Sequence, residues 1–113
     1  MSQIMKNVLE QYIDSLKKIY GVHLKKIILY GSYARGEANN ESDIDIMILL
    51  DLTDMEIKSY RHKLTDITYN CNMDNDVEIM PIAKNEEHFK KWVNNYPFYL
   101  NVEKEGIILY AAA

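Results

Sequence analysis

Two pairs of residues stand where phosphate and metal chemistry would need them. Gly31-Ser32 closes one apolar run and Asp43-Ile44-Asp45 opens the next, with ten residues between. On a strand, side chains two apart point to the same face, so Asp43 and Asp45 are expected to project together. Carboxylates held that close repel, and neither has a cation adjacent in sequence. A divalent ion would relieve the repulsion, and oxygen-only ligands with short carboxylates suit Mg²⁺, which usually takes phosphate oxygens as well. Gly31 lets the backbone approach a phosphate, and Ser32 offers a hydroxyl and an N–H. If Ser32 starts a short helix through Arg35, its N-terminus favours an anion. A phosphate cradle beside metal ligands is what a nucleoside-triphosphate reaction requires. From ordinary residue frequencies, four such fixed residues arise by chance in roughly one chain in a thousand of this size.

A third acid extends the pattern. Glu78 is the only charge in the apolar run Val77 to Pro81, and a lone acid in a strand core is costly unless paired or bound to metal. Beside the Asp43 strand it would serve as a third metal ligand or as general base on an attacking hydroxyl. Asp76, on the same face, is the fallback. Each residue also has a plain structural reading. Glu78 would pair with a lysine or arginine, and Arg35 with Glu37 or Glu41. Ser32 would cap a helix, and Gly31 would serve a turn.

These residues need strands and helices to position them. Ile4, Val8, Leu9, Tyr12, Leu16 and Tyr20 recur at helical spacing, with Ser2 as cap and Gly21 as stop. Lys25 to Tyr30 reads as a buried strand, Gly31 to Ser42 as a turn-rich stretch, and Asp43 to Leu50 as a central strand covered on both faces. A helix is expected from Asp54 to about Cys71, its stripe formed by Ile57, Tyr60, Leu64, Ile67 and Cys71 and its cap by Thr53. A loop follows at 72–75, then a short strand at 77–80 ended by Pro81. A helix covers 86–96 with Phe89, Trp92 and Val93 inward, Pro97 starts a further helical turn, and Ile107 to Tyr110 is a last strand. The fold class is α/β (α+β): a small mixed sheet of about four strands flanked by helices. Residues 1–110 are expected to form one domain and 111–113 a tail.

Composition narrows the partners. The chain has 113 residues, which suits one core and leaves no room for a separate substrate domain. With 17 acidic against 13 basic residues, it lacks the broad basic surface that nucleic acid binding needs, so no direct nucleic acid contact is expected. The single cysteine, Cys71, excludes an internal disulfide and fits a reducing cytoplasm. No apolar run approaches the ~20 residues of a membrane span, and no membrane association is expected. His23, His62 and His88 lack metal-ligand spacing and are expected at the surface, and Trp92 and Phe89 are expected in the core.

The stretch GSYARGEANNESDID is similar to the nucleotidyltransferase signature of the polymerase-β-like superfamily. More narrowly, the chain resembles the minimal nucleotidyltransferases, or MNT proteins, over Ile27 to Ile48, VEIMPIAKNEEHFKKW and the ending NVEKEGIILY. The resemblance implies a nucleotidyltransferase fold and a cytoplasmic antitoxin that acts on a helical HEPN toxin, an RNase, by transferring AMP from ATP to a tyrosine hydroxyl. It implies Mg²⁺ on Asp43 and Asp45, the triphosphate at Gly31 and Ser32, and a third acid at Glu78. The family's third acid is usually Asp. Arg35 and Gly36 also fit the family pattern. A homodimer or hetero-oligomer is compatible with it.

Two other functions compete: a non-catalytic antitoxin that binds and occludes its toxin, and a transferase that modifies a small molecule such as an aminoglycoside. The intact Gly-Ser and D-x-D pairs argue against the first. The absence of room for an additional substrate domain argues against the second.

Overall fold

The computed structural model describes residues 1–39 and 41–113; Asn40, inside the stretch expected to be turn-rich, lies outside them. Helix α1 spans Gln3–Tyr20. The Ser2 hydroxyl accepts a hydrogen bond from the Met5 N–H at 3.1 Å and so satisfies one of the free donors of the first turn. Its apolar face buries Val8, Leu9, Tyr12, Leu16 and Tyr20. A 3₁₀ turn at Gly21–His23 leads into β1, Leu24–Tyr30. There follow α2 (Ser32–Arg35), β2 (Ile44–Leu50), α3 (Asp54–Ser59), α4 (Arg61–Asn75), β3 (Ile79–Asn85), α5 (Glu86–Trp92), α6 (Pro97–Glu105) and β4 (Ile107–Ala111).

The strands form one mixed sheet in the order β3-β2-β1-β4. β1 runs antiparallel to β2 and β4, and β2 runs parallel to β3. This is the expected fold class. Alternation along β2 sends Ile44, Ile46, Ile48 and Leu50 to the side of α1 and α4. Met47 and Leu49 go to the other side, against Phe89, Tyr99 and Val102 of α5 and α6. Every β2 residue except Asp45 is buried. At ~1.5–3 kcal/mol per buried aliphatic side chain, β2 is the most firmly held strand and the fixed reference for whatever stands at its end. Between α1 and α4, the hydroxyls of Tyr12 and Thr68 meet at 2.7 Å, so neither is buried unpaired.

The structure differs from expectation at several boundaries, each for a local reason. The helix expected over Asp54 to Cys71 divides at Tyr60, whose N–H turns back to the Ile57 carbonyl at 3.1 Å. The stripe nonetheless survives, because Ile57, Tyr60, Leu64, Ile67 and Cys71 all pack on the same core. Thr53 does cap α3, in a reciprocal box with Glu56. The loop expected at 72–75 is the last turn of α4, which ends where Asp76 adopts a left-handed φ of 51°.

The third strand was expected to stop at Pro81; it begins at Ile79 and passes through Pro81 to Asn85. β3 is an edge strand, where proline is tolerated if its nitrogen faces outward. Asn72 shows which way that register runs. Its side-chain oxygen accepts from the Ile79 N–H at 2.8 Å and its amide donates to the Ile79 carbonyl at 3.3 Å, on the side away from β2. Pro81, two residues on, faces the same way and sacrifices no ladder bond.

Helix α5 ends at Trp92 instead of Tyr96, and the turn expected at Pro97 is a nine-residue helix. Ala111 belongs to β4, opposite Lys26, and the Ala112 N–H donates to the Lys25 carbonyl at 2.9 Å, so the expected tail starts later than 111. Among the described residues, no helix is long and apolar enough to cross a membrane.

The buried tyrosines set a pH limit. Tyr20 and Tyr30 are pushed from 10 up to about 12, chiefly by burial, with Tyr60 adding to the first and Asp45 to the second. Tyr12 is raised too, again by burial. The folded protein keeps protons that the unfolded chain releases. Their contribution to stability is therefore complete below about pH 10 and is lost as pH rises toward 12. Urea midpoints are expected to fall across that window, and Tyr20→Phe to make the fall shallower; an unchanged slope would remove Tyr20 as a source.

Candidate active site

The strand register brings the two sequence pairs together. Tyr30, the last residue of β1, lies opposite Asp45 of β2. Gly31-Ser32 therefore leaves the sheet at the same end at which Asp43-Ile44-Asp45 enters it. Asp43 is exposed and Asp45 half-buried. Gly31 explains how Asp45 is seated. It adopts φ 76°, and a Cβ built on it would fall on the Asp45 carboxylate, on Oδ2. Only a residue without a side chain both accepts that backbone angle cheaply and leaves the carboxylate its place.

Past Gly31 the chain makes a single helical turn. The Arg35 N–H returns to the Gly31 carbonyl at 3.1 Å and the Glu37 N–H to the Ser32 carbonyl at 2.9 Å. Gly36 ends the turn in the left-handed region. Arg35 is exposed and reaches two carboxylates: its Nε donates to Glu37 Oε2 at 3.2 Å and its Nη1 to Glu105 Oε2 at 3.3 Å. The pairing with Glu37 is the structural alternative open from sequence. Glu105, at the end of α6, is a partner that no local pattern announces.

The electrostatics at Asp45 follow from this crowding. Its proton affinity is raised, first by burial and then by the charge of Asp43, with Arg35 pulling the other way. The charge of Asp43 thus opposes ionisation of Asp45, and Arg35 relieves it only in part. That donor set fits Mg²⁺, which is commonly held by one or two carboxylates with substrate phosphates and water completing the shell.

Among the described residues, no three His, Cys, Asp or Glu converge to hold a metal ion. The trio of Asp43, Asp45 and Glu78 is therefore not assembled as a ligand cage. Glu78 lies one residue before β3 and is exposed, outside the apolar strand interior that made it look costly. Its carbonyl accepts from the Ile44 N–H at 2.8 Å, which anchors its backbone beside the acidic pair. It borders two cavities. One, of about 490 Å³, is bounded by Tyr33, Ser42, Ile44 and Asp76; the other, of about 530 Å³, lies between α3, α4 and the β3 edge. Asp76, the fallback acid, caps α4 and is exposed.

Residues 9–99 match the family described as the nucleotidyltransferase domain. The chain belongs to this family. The nucleotidyltransferase is 38% identical over 102 residues to "Putative protein adenylyltransferase MJ0604" of Methanocaldococcus jannaschii, across 90% of this chain and 94% of that one. It is 29% identical over 100 residues to MJ0141 of the same organism, which carries the same description, across 88% and 93%. Among solved structures it is similar to a toxin–antitoxin crystal structure with AMP-PNP, at a TM-score of 0.56 and 20% identity, covering 91% of this chain and 73% of that one. It is also similar to a structure of tri-AMPylated Shewanella oneidensis HEPN toxin in complex with MNT antitoxin, at 0.55 and 17%, covering 95% and 72%. At these identities the two structures establish a shared fold.

Three residues around this site, Phe98 among them through its edge-to-face contact with Tyr30, are not marked in the sequence. Glu105 and Phe98 arrive on α6 from about seventy residues away. Tyr30 carried one signal, its place directly before Gly31, which any antiparallel pairing of β1 with β2 would bring against the D-x-D pair.

The seating of Asp45 yields two expectations. Gly31→Ala places a Cβ on the carboxylate at a left-handed angle, and is expected to cost about 1–3 kcal/mol of stability and to displace Asp45. A melting temperature within a degree of the parent would refute that packing. Asp45→Asn removes the repulsion with Asp43. In metal-free buffer the nucleotidyltransferase variant should melt above the parent, and it should gain less from added Mg²⁺. Calorimetry on both proteins measures the two effects.

Proposed function

We propose that this nucleotidyltransferase is a Mg²⁺-dependent protein adenylyltransferase that transfers AMP from ATP to a tyrosine hydroxyl of a HEPN RNase toxin and so neutralises it. We read residues 1–110 as one minimal nucleotidyltransferase domain working in a reducing cytoplasm, consistent with the free thiol of Cys71. The observation that carries the reading is the Asp45 carboxylate seated against Gly31, with Asp43 beside it and Arg35 close enough to shift its proton affinity. The names of the relatives support protein as acceptor, and the toxin–antitoxin neighbours support a HEPN partner.

In this reading the acceptor hydroxyl oxygen bonds to the α-phosphorus, the bond from that phosphorus to the bridging oxygen of the β-phosphate breaks, and pyrophosphate leaves. Mg²⁺ held by Asp43 and Asp45 would supply charge neutralisation on the triphosphate. Gly31 leaves the space in which Asp45 is held. The N–H groups that open the turn at Ser32, with its hydroxyl, lie free of ladder bonding and face phosphate oxygens. Arg35 exchanges Glu37 or Glu105 for phosphate, a change of partner that costs little at an exposed ion pair. Glu78, anchored beside Ile44, takes the proton from the acceptor hydroxyl. Occlusion without catalysis makes no use of the acid pair.

The test is a mass shift on a co-expressed HEPN partner in the presence of ATP and Mg²⁺. Asp43→Asn with Asp45→Asn is expected to lower the rate by at least about a hundredfold, from the several kcal/mol that a metal contributes. Persistent neutralisation without any mass shift in that variant would favour occlusion. Glu78→Gln should slow turnover by about 100- to 10,000-fold, as loss of a general base does, while ATP binding stays near the parent value; full turnover would reduce Glu78 to a structural acid.

A further inference from the structure

We infer that Phe98, buttressed by Tyr30, is the face on which the nucleobase of the triphosphate substrate stacks. The inference rests on the proposed role of Asp43 and Asp45 at the phosphate end of the site. It begins with the placement of α6. At its C-terminal end Glu105 holds Arg35, whose backbone N–H donates to the carbonyl of Gly31, the residue packed against the Asp45 carboxylate. At its N-terminal end the Phe98 ring meets Tyr30 edge to face, centroids 5.6 Å apart and planes at 77°. Tyr30 is itself the cross-strand partner of Asp45. Both ends of one short helix thus reach toward Asp45, one through Arg35 and Gly31 and the other through Tyr30. With ~1.5 Å of rise per residue, Phe98 and Glu105 stand about 10 Å apart along the helix axis. The helix forms a wall along the site, charged at one end and aromatic at the other.

A nucleoside triphosphate has the same polarity. Its phosphates require the acid-bound cation and Arg35, whereas its base is a flat uncharged ring that gains by covering an exposed aromatic surface. Phe98 is 43% exposed, so part of its ring is open to a flat ligand. Tyr96 is as exposed, but its ring is already stacked on Trp92, with planes 10° apart and centroids at 5.6 Å. Phe98 meets Tyr30 edge to face and Tyr99 at a 45° tilt with centroids 6.1 Å apart, so neither ring lies parallel over its face.

Titration calorimetry with Mg·ATP and with Mg·tripolyphosphate, which lacks a base, tests the assignment. Phe98→Ala is expected to weaken ATP about tenfold or more, as loss of one base–aromatic stack does, and to leave tripolyphosphate binding unchanged. Phe98→Trp should restore ATP binding. Unchanged ATP affinity in Phe98→Ala overturns the inference, and a raised acceptor KM in that variant would reassign the ring to acceptor docking. Equal weakening of both ligands also overturns it, since that marks a structural role. If the parent protein binds neither ligand, the phosphate-site reading itself fails, before Phe98 is in question.

Discussion

Two carboxylates held side by side at the end of a buried strand are the constraint around which this protein is arranged. Asp45 is the one position of β2 that is not buried, and it carries the charge whose ionisation burial and Asp43 both oppose. An isolated strand would relax by turning one acid away. Here it cannot, because Ile44 and Ile46 on either side are fixed in the α1–α4 face of the core and Met47 in the other. A half-turn of Asp45 would expose two isoleucines for every carboxylate relieved. The hydrophobic core thus holds Asp45 near Asp43, and that opposition is what the proposed Mg²⁺ would relieve.

The surroundings are built to tolerate the strain without cancelling it. Gly31 removes a side chain where the carboxylate needs space. Arg35 offsets part of the repulsion from a distance, but its direct ion pairs are with Glu37 and Glu105. A guanidinium bound straight to Asp45 would cancel its charge and compete with the proposed metal. By keeping its hydrogen bonds on two surface acids, Arg35 stays at the site while leaving the Asp43–Asp45 oxygens available.

Much of this was legible in the sequence because it depends on local rules. The continuous apolar run from Ile46 to Leu50 identified a strand covered on both faces, and the spacing of Asp43 and Asp45 put both on one of them. The caps at Ser2 and Thr53 followed from side-chain chemistry within three residues. What was not legible depends on which strand lies at an edge. Pro81 reads as a terminator until the sheet order places β3 outermost with its odd positions facing outward. Glu78 reads as a buried acid until the strand proves to start at Ile79, one residue beyond it. The break at Tyr60 was invisible for a different reason: the apolar stripe continues across it, so periodicity cannot distinguish one helix from two.

The position of α6 follows from the same long-range logic and links fold to function. Gly106 permits the helix to turn directly into β4, because a Cβ there would collide with the Val102 carbonyl and with Ile28. That tight exit fixes Glu105 at the end of β1, within reach of Arg35, since Ile107 pairs with Leu29 one residue before Tyr30. Once Glu105 is fixed, the helix length alone determines where Phe98 falls. Edge strand β4 therefore does more than close the sheet. By pairing with β1 it carries the whole of α6 to the margin of the acidic pair, and a chain with few residues to spare acquires a wall for its site from an element whose sequence bears no trace of the motif.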